Sequence, residues 1–355
     1  MKCANPSCTT SKPTGTNTNL LRCARCQSCH YCSRTCQSTH WPSHKSKCIR
    51  PNYIIKFHLF PSEITDPPVI RTLSCPSNAT FYMLHMALQT AFGWSSYHSF
   101  DFTVGDPSYA RADSIAAEVR RLLSRQKSSP LDITKQMNPA DSSREYLLRV
   151  TDPVRAFGQA PQGSAATYGI DQMHEGQRRH PRTVEKDSQD TKLWQVLDGD
   201  KYRGEGKTMI YTYGFGDNWE HVMTIEGRGT KPTRDFVCLS GEGHGVAEDV
   251  GSAAGWEALK KAYRAAKPTE EQKEKMAWYE SEASNGDVKG LAGERVNFFD
   301  LEKVNKMLVS ETMFERFERM ADEKIADEER LRRGDRMRQG AVSDMEQKIK
   351  ELWRD

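Results

Sequence analysis

Eight cysteines lie within the first 48 residues, at positions 3, 8, 23, 26, 29, 32, 36 and 48, and His44 stands just ahead of the last. Thiolate sulfur and imidazole nitrogen are the ligands Zn²⁺ takes in tetrahedral fours, and a knuckle or one helical turn supplies two at a time. Read as pairs, the ligands are Cys3-x4-Cys8, Cys23-x2-Cys26, Cys32-x3-Cys36 and His44-x3-Cys48. Two ions need eight ligands, and the segment offers nine. Cys29 has no partner in the four-pair order and is set aside as a spare thiol, although Cys26-x2-Cys29 and Cys29-x2-Cys32 are also workable knuckles. His30 and His40 are spare as well. Only Cys75 and Cys238 lie beyond this segment, so the cysteine usage is local, as a metal module's is, rather than spread along the chain like a disulfide scaffold's.

The run "LLRCARCQSCHYCSRTCQSTHWPSHKSKC" resembles a MYND-type zinc finger across residues 3 to 48. It has a Cys pair, an aromatic (Tyr31) before Cys32, then "YCSRTCQ", a Trp (Trp41), "HK" and a closing Cys. The first pair is spaced by four residues instead of the family's usual two, and Cys29 stands where the family normally has no ligand. The resemblance implies cross-brace ligation, pairs one and three sharing one metal and pairs two and four the other. That assigns Cys3, Cys8, Cys32 and Cys36 to one zinc and Cys23, Cys26, His44 and Cys48 to the second. With every position taken by a protein ligand the two zincs are expected to be structural, supplying on the order of 10 kcal/mol to a segment too short to fold by apolar burial. The resemblance also implies a proline-containing peptide as partner, held by Gln37 and Trp41.

Around this module the chain is long for a single core, so two or three units are expected from its 355 residues. The first fifty carry eight Lys/Arg and no Asp/Glu, so against a whole-chain net charge of +3 the remainder sums to −5. Two Zn²⁺ on seven thiolates leave the finger at about +5. That charge would favour an acidic partner, or be a solvated surface. Nucleic acid finds only slight support, since no recognition-helix pattern with base-reading side chains accompanies the charge. No signal-like leader follows Met1 and no apolar run has bilayer length, so a soluble intracellular protein, cytoplasmic or nuclear, is expected.

The elements beyond Pro51 read as an α+β domain. "YIIKFHLF" alternates Tyr53, Ile55, Phe57 and Leu59 onto one side, as a strand with one buried face does. "TFYMLHMALQTAFG" reads as a helix with Thr80 as N-cap, Phe81, Leu84, Leu88 and Phe92 on one face, and Gly93 as the stop. "WSSYHSFDFTV" returns to strand. From about 105 to 192 the chain is polar and Gly/Gln/Ser-rich, expected as a partly disordered insert, with a helix at Ile115–Leu123 and a strand at "YLLRV" as its possible structure. "KTMIYTYGFGDNWEHVMTIE" is a hairpin signal, with Gly216, Asp217 and Asn218 between two alternating runs. "GWEALKKAYRAA", "EEQKEKMAWYESEA" and "NFFDLEKVNKML" read as helices, and residues 310 to 333 as a long charged helix with one apolar stripe. The domains expected are 1–50, 51–308 and a charged helical tail, 309–355.

"ATFYMLHMALQTAFGWSSYHSFDF", "MIYTYGFGDNWEH", "CLSGEGHGVAEDVGSAAGW" and "FFDLEKVN" together resemble the plasmid pRiA ORF-three-like family, also met as a passenger of a mobile insertion element. The resemblance spans roughly residues 53 to 308 and implies a compact α+β domain without a known activity. Where members often carry further cysteines after "CL-G", this chain has His244 and Val250.

These motifs bring His85, His98, Asp217, Glu220, His221, Glu248 and Asp249 into view. His98, Asp217, His221, Glu248 and Asp249 form a candidate second site for proton transfer or oxygen and nitrogen ligation. A plainer reading makes Asp217 a turn former, His221 a strand residue beside Trp219, His85 a partly buried helix residue and Glu248 and Asp249 loop or cap residues. No Walker loop, dinucleotide fingerprint or "G-x-S-x-G" elbow occurs, and no SET-domain sequence accompanies the finger. The function expected is therefore a zinc-binding interaction adaptor, the alternative being an enzyme or nucleic-acid-handling protein centred on "FGDNWEH".

Overall fold

A computed structural model describes residues 2–8, 20–26, 28–96, 98–109, 144–152, 178–230 and 232–309. The chain divides into two compact units, Met1–Leu308 and Val309–Asp355. The helices expected at Ile115–Leu123 and at 310–333 lie outside the described residues.

The amino end is a small hairpin, β1 (Leu21–Arg22) and β2 (His30–Tyr31), followed by helix α1 (Arg34–His44). Among the described residues its apolar core is Cys23, Cys26, Tyr31 and Cys48, with Trp41, Cys3, Cys29 and Cys36 packed against it. The body is an eight-stranded sheet in the order β10-β4-β3-β9-β8-β5-β6-β7. Its strands are β3 (Tyr53–Leu59), β4 (Val69–Cys75), β5 (Phe100–Gly105), β6 (Tyr146–Thr151), β7 (Val184–Asp187), β8 (Met209–Tyr213), β9 (Trp219–Arg228) and β10 (Val237–Glu242). Every pairing is antiparallel except the last, β6 with β7.

Alternation decides which face is apolar. Tyr53, Ile55, Phe57 and Leu59 of β3 are buried while the residues between them are half-buried, and Phe102, Tyr211, His221 and Leu59 stand in one cross-strand row. Helix α2 (Phe81–Phe92) covers this face. Thr80 Oγ1 accepts from the Met83 amide to start it, and Gly93 ends it at a φ of 76°, a left-handed turn glycine takes without strain. The His85 ring lies flat on Phe100 with centroids 3.6 Å apart, and its Nδ1 is 2.8 Å from the Tyr211 hydroxyl. Expected to be partly buried, His85 is buried outright.

The irregular stretch expected up to residue 192 is shorter at its end. Residues 146–151 form the expected strand, but Val184–Asp187 adds a parallel edge strand as β7, and α3 (Leu193–Leu197) follows. The opposite face of β5 and β6 explains the ordering. Buried Asp101 accepts from Arg149 Nε at 2.7 Å and from Arg178 Nε and Nη2 at 2.7 and 2.9 Å. Arg178 thereby pins the chain just ahead of β7.

Helices α4 (Ser252–Arg264) and α5 (Glu270–Ser281) pack through Trp256, Tyr263 and Tyr279, the Tyr279 ring meeting each of the other two at 6.3 Å. In α6 (Leu301–Val309), Asp300 Oδ1 accepts from the Lys303 amide, and the Asn305 side chain both accepts from the Cys238 amide (2.8 Å) and donates to its carbonyl (2.9 Å). One side-chain amide thus imitates a ninth strand on part of the β10 edge.

Candidate metal centre

Each ligand pair is set by a short local device. Cys3 and Cys8 close around Asn5, whose Oδ1 accepts from Ser7 N (3.0 Å) and whose carbonyl accepts from Cys8 N (3.1 Å), so the wider spacing is taken up in a turn. The Ala4 amide donates to the His30 carbonyl at 2.7 Å, tying this knuckle to β2. Cys23 and Cys26 occupy the β1–β2 turn, where Cys23 N donates to Cys29 O at 2.8 Å. Cys32 precedes α1, and Ser33 caps that helix by accepting from Cys36 N. His44 ends the helix, and Cys48 follows one further turn.

The eight ligands gather into two fours. Cys3, Cys8, Cys32 and Cys36 form one, Cys23, Cys26, His44 and Cys48 the other, and within each the ligand atoms all lie inside 4.8 Å. Zn–S bonds of about 2.3 Å place tetrahedral ligand atoms about 3.8 Å apart. The separations here are 3.6 Å for Cys8–Cys32, 3.4 Å for Cys32–Cys36, 3.6 Å for Cys23–Cys48 and 3.5 Å from Cys26 Sγ to His44 Nε2. The residues fit two zinc ions in the cross-brace arrangement, each ion closed by four protein ligands and therefore structural.

The second four is buried throughout and the first is partly exposed. Burial opposes the Cys26 thiolate, but hydrogen bonds from the Ser28 side chain and from the Ser28 and Cys29 backbone outweigh it and bring the thiol down to about 6. Burial, with the Cys23 and Cys26 sulfurs, pushes Cys48 up to about 12. A divalent ion resolves that conflict by supplying the positive charge both need.

Cys29 joins neither four. Its sulfur lies 3.6 Å from Nδ1 of His44, the ring nitrogen turned away from Cys26. His40 Nδ1 is 3.1 Å from the Tyr31 hydroxyl, and His30 accepts from Arg22 Nε at 3.2 Å. Gln37 and Trp41 sit one helical turn apart on α1, both half-buried, and Trp41 packs edge-on to His44 at 6.0 Å.

The five residues of the candidate second site divide. His98 Nε2 meets Asp249 Oδ1 at 3.2 Å, the histidine side chain 13 % exposed and the aspartate 66 %. Asp217, in the β8–β9 turn, accepts from the Gly251 amide at 3.3 Å through its carboxylate and from the Ser252 hydroxyl at 2.8 Å through its carbonyl. Glu248 is buried beside them and accepts four hydrogen bonds, from Ser95 N (2.6 Å), Ser95 Oγ (2.7 Å), Tyr213 OH (2.9 Å) and Ser284 Oγ (2.7 Å). His221 lies in the core, its Nδ1–H donating to the Trp219 carbonyl at 2.9 Å, and is flanked by Phe92 and Trp94. Among the described residues, only the two finger clusters bring three or more metal-type ligands together. The Asp101–Arg149–Arg178 cluster was not legible in advance, because its members come from three separate stretches of chain and carry no shared motif.

Comparison with known proteins matches both halves. The MYND finger family matches residues 3–48, and the family described as plasmid pRiA4b ORF-3-like protein matches residues 54–306. No curated protein matches the chain. Among solved structures, the crystal structure of a protein of unknown function, MM3350 from Methanosarcina mazei Go1, is similar at 19 % identity and a TM-score of 0.41, covering 72 % of this chain and 98 % of that one. With a single family matching well over half of its length, behind an amino-terminal MYND finger, the chain belongs to the plasmid pRiA4b ORF-3-like proteins.

Proposed function

We propose that this protein is a zinc-dependent interaction adaptor, in which the finger docks a proline-containing peptide of a partner protein and the α+β body presents a second surface. The observation that carries the reading is the coupling of Trp41 to the metal. Trp41 is half-buried, keeps an accessible face one turn from Gln37, and packs against His44, a ligand of the second zinc. A docking residue held this way has its orientation set by the ion, so binding depends on zinc even though the zinc does no chemistry. Two closed ligand fours are the chemistry of a scaffold, with no coordination site kept for a substrate. A flat indole beside a polar amide suits the rigid, donor-poor surface of a polyproline segment.

Titration of a fluorescent proline-containing peptide tests this. Trp41→Ala is expected to bind at least about tenfold more weakly while retaining two zinc equivalents, as for an aromatic anchor. Undiminished binding by a zinc-replete Trp41→Ala protein rejects the reading. Affinity capture with wild type beside a Cys32→Ala, Cys36→Ala double variant gives a second view, since identical partners on both would remove the finger from the docking event.

A further inference from the structure

An imidazole that gives one lone pair to a metal carries its proton on the other nitrogen, and that N–H needs an acceptor when it is buried. His44 is buried, with Nε2 toward the Cys26 sulfur at 3.5 Å. The group opposite Nδ1 is the sulfur of Cys29, at 3.6 Å. His44 is otherwise bounded by rings, stacked on His40 at 5.5 Å and edge-on to Trp41 and Tyr31 at 6.0 and 6.3 Å. Rings fix where the imidazole sits but contribute little to its rotation about the ring axis. Cys29 is itself held, since its carbonyl accepts from Cys23 N, the first ligand of the same zinc.

We infer that Cys29 is a positioning residue of the second zinc site, its sulfur accepting the Nδ1–H of His44 so that Nε2 faces the ion. The ninth soft ligand is thus neither a ninth bond to metal nor an idle thiol. It supplies the outer contact that a backbone carbonyl or carboxylate supplies to many metal-bound histidines. The inference concerns zinc retention and does not rest on peptide docking.

Zinc retention by the full-length protein against a competing chromogenic chelator tests it. Cys29→Val, which keeps the approximate volume and removes the acceptor, is expected to give up one of its two ions at about 10- to 100-fold lower chelator concentration than wild type. The other ion, in the Cys3, Cys8, Cys32, Cys36 site, should follow the wild-type curve and so report that the finger is folded. Cys29→Ser keeps an acceptor and should lie close to wild type. In ¹H–¹⁵N spectra of the wild type, the His44 ring should carry its proton on Nδ1. The inference is overturned if Cys29→Val and wild type release zinc alike, or if the proton lies on Nε2. Retention of both ions by His44→Ala, with loss from Cys29→Val, would instead make Cys29 a ligand and overturn it equally.

Discussion

His221 stands where a charge is least welcome, fully buried among Phe92, Trp94 and Tyr211, and desolvation pushes its pKa down to about 3. In the unfolded chain a histidine titrates near 6.5. Between those two values the unfolded state binds a proton that the folded state refuses, so stability is complete above about pH 6.5 and declines as the pH falls toward 3, by a few kcal/mol on the order of this shift. Urea midpoints measured at several pH values should show this decline in the wild type. In His221→Asn, which keeps a donor near the Trp219 carbonyl and cannot protonate, the slope between pH 6.5 and 4 should be visibly shallower; carboxylate and zinc contributions are common to both proteins and cancel in the comparison. Equal slopes would mean the imidazole is not the titrating group. Residues like this mark the limit of legibility. The zinc ligands were readable because partners within a pair sit a few positions apart and chemistry restricts them to Cys and His. Glu248 was readable as a candidate site residue or a loop or cap residue, but not as a saturated buried acceptor, because its four donors come from Ser95, Tyr213 and Ser284, far away along the chain.

Elements with a strong period announced themselves, whereas strands β4, β7 and β10 and helix α3 were not read from the sequence. Strand β3, helix α2 with its Thr80 and Gly93 ends, and the β8–β9 hairpin all lie where alternation and capping put them. Strand β7 is Val-Glu-Lys-Asp, none of it buried, so it has no apolar rhythm to read. What holds it is main-chain pairing with β6, together with the Asp101 cluster at the near end. Burial opposes the Asp101 charge, but Arg178 and Arg149 hold its carboxyl below the usual carboxylate range. Removing the shared anion leaves two guanidiniums facing each other in a buried place, the situation in which breaking an ion pair costs most. Asp101→Asn should therefore lose about 3–5 kcal/mol in urea unfolding, with amide exchange rising first along β6 and β7. Arg178→Met should cost less, since Arg149 still meets the carboxylate at 2.7 Å. A loss confined to Arg178→Met would mean that Arg178 works by packing on Phe215 and Tyr146 and not by charge.

At the scale of the molecule, finger and body use different means of staying folded, and they meet at a few residues. The finger's own core is three cysteines and a tyrosine, all three cysteines being zinc ligands, whereas the body closes an eight-stranded sheet on α2 with aromatic side chains. Between them, Asp198 receives the Tyr53 hydroxyl at 2.6 Å, Arg50 Nε at 3.2 Å and the Arg228 guanidinium, and Arg50 also lies over Trp194 at 4.2 Å. Asn52, wholly buried, bonds Ser74 and Thr233, so the chain is anchored to the body four residues after the last zinc ligand. An anchor after Cys48 cannot replace the ions, because the contacts that shape the knuckles, Asn5 with Ser7 and Cys8, Ala4 with His30, and Cys23 with Cys29, lie within the finger itself. Stripping zinc with a strong chelator under reducing conditions should then release two equivalents and abolish amide protection at Cys23, Tyr31 and along α1, while β3, β4 and β9 keep theirs. Because the Asp198 contacts lie on the body side of that boundary, the Tyr53 amide should stay protected and the boundary of lost protection should fall between Cys48 and Asn52. Loss spreading into β3 would show that the body depends on the metal too, and that the two halves fold as one.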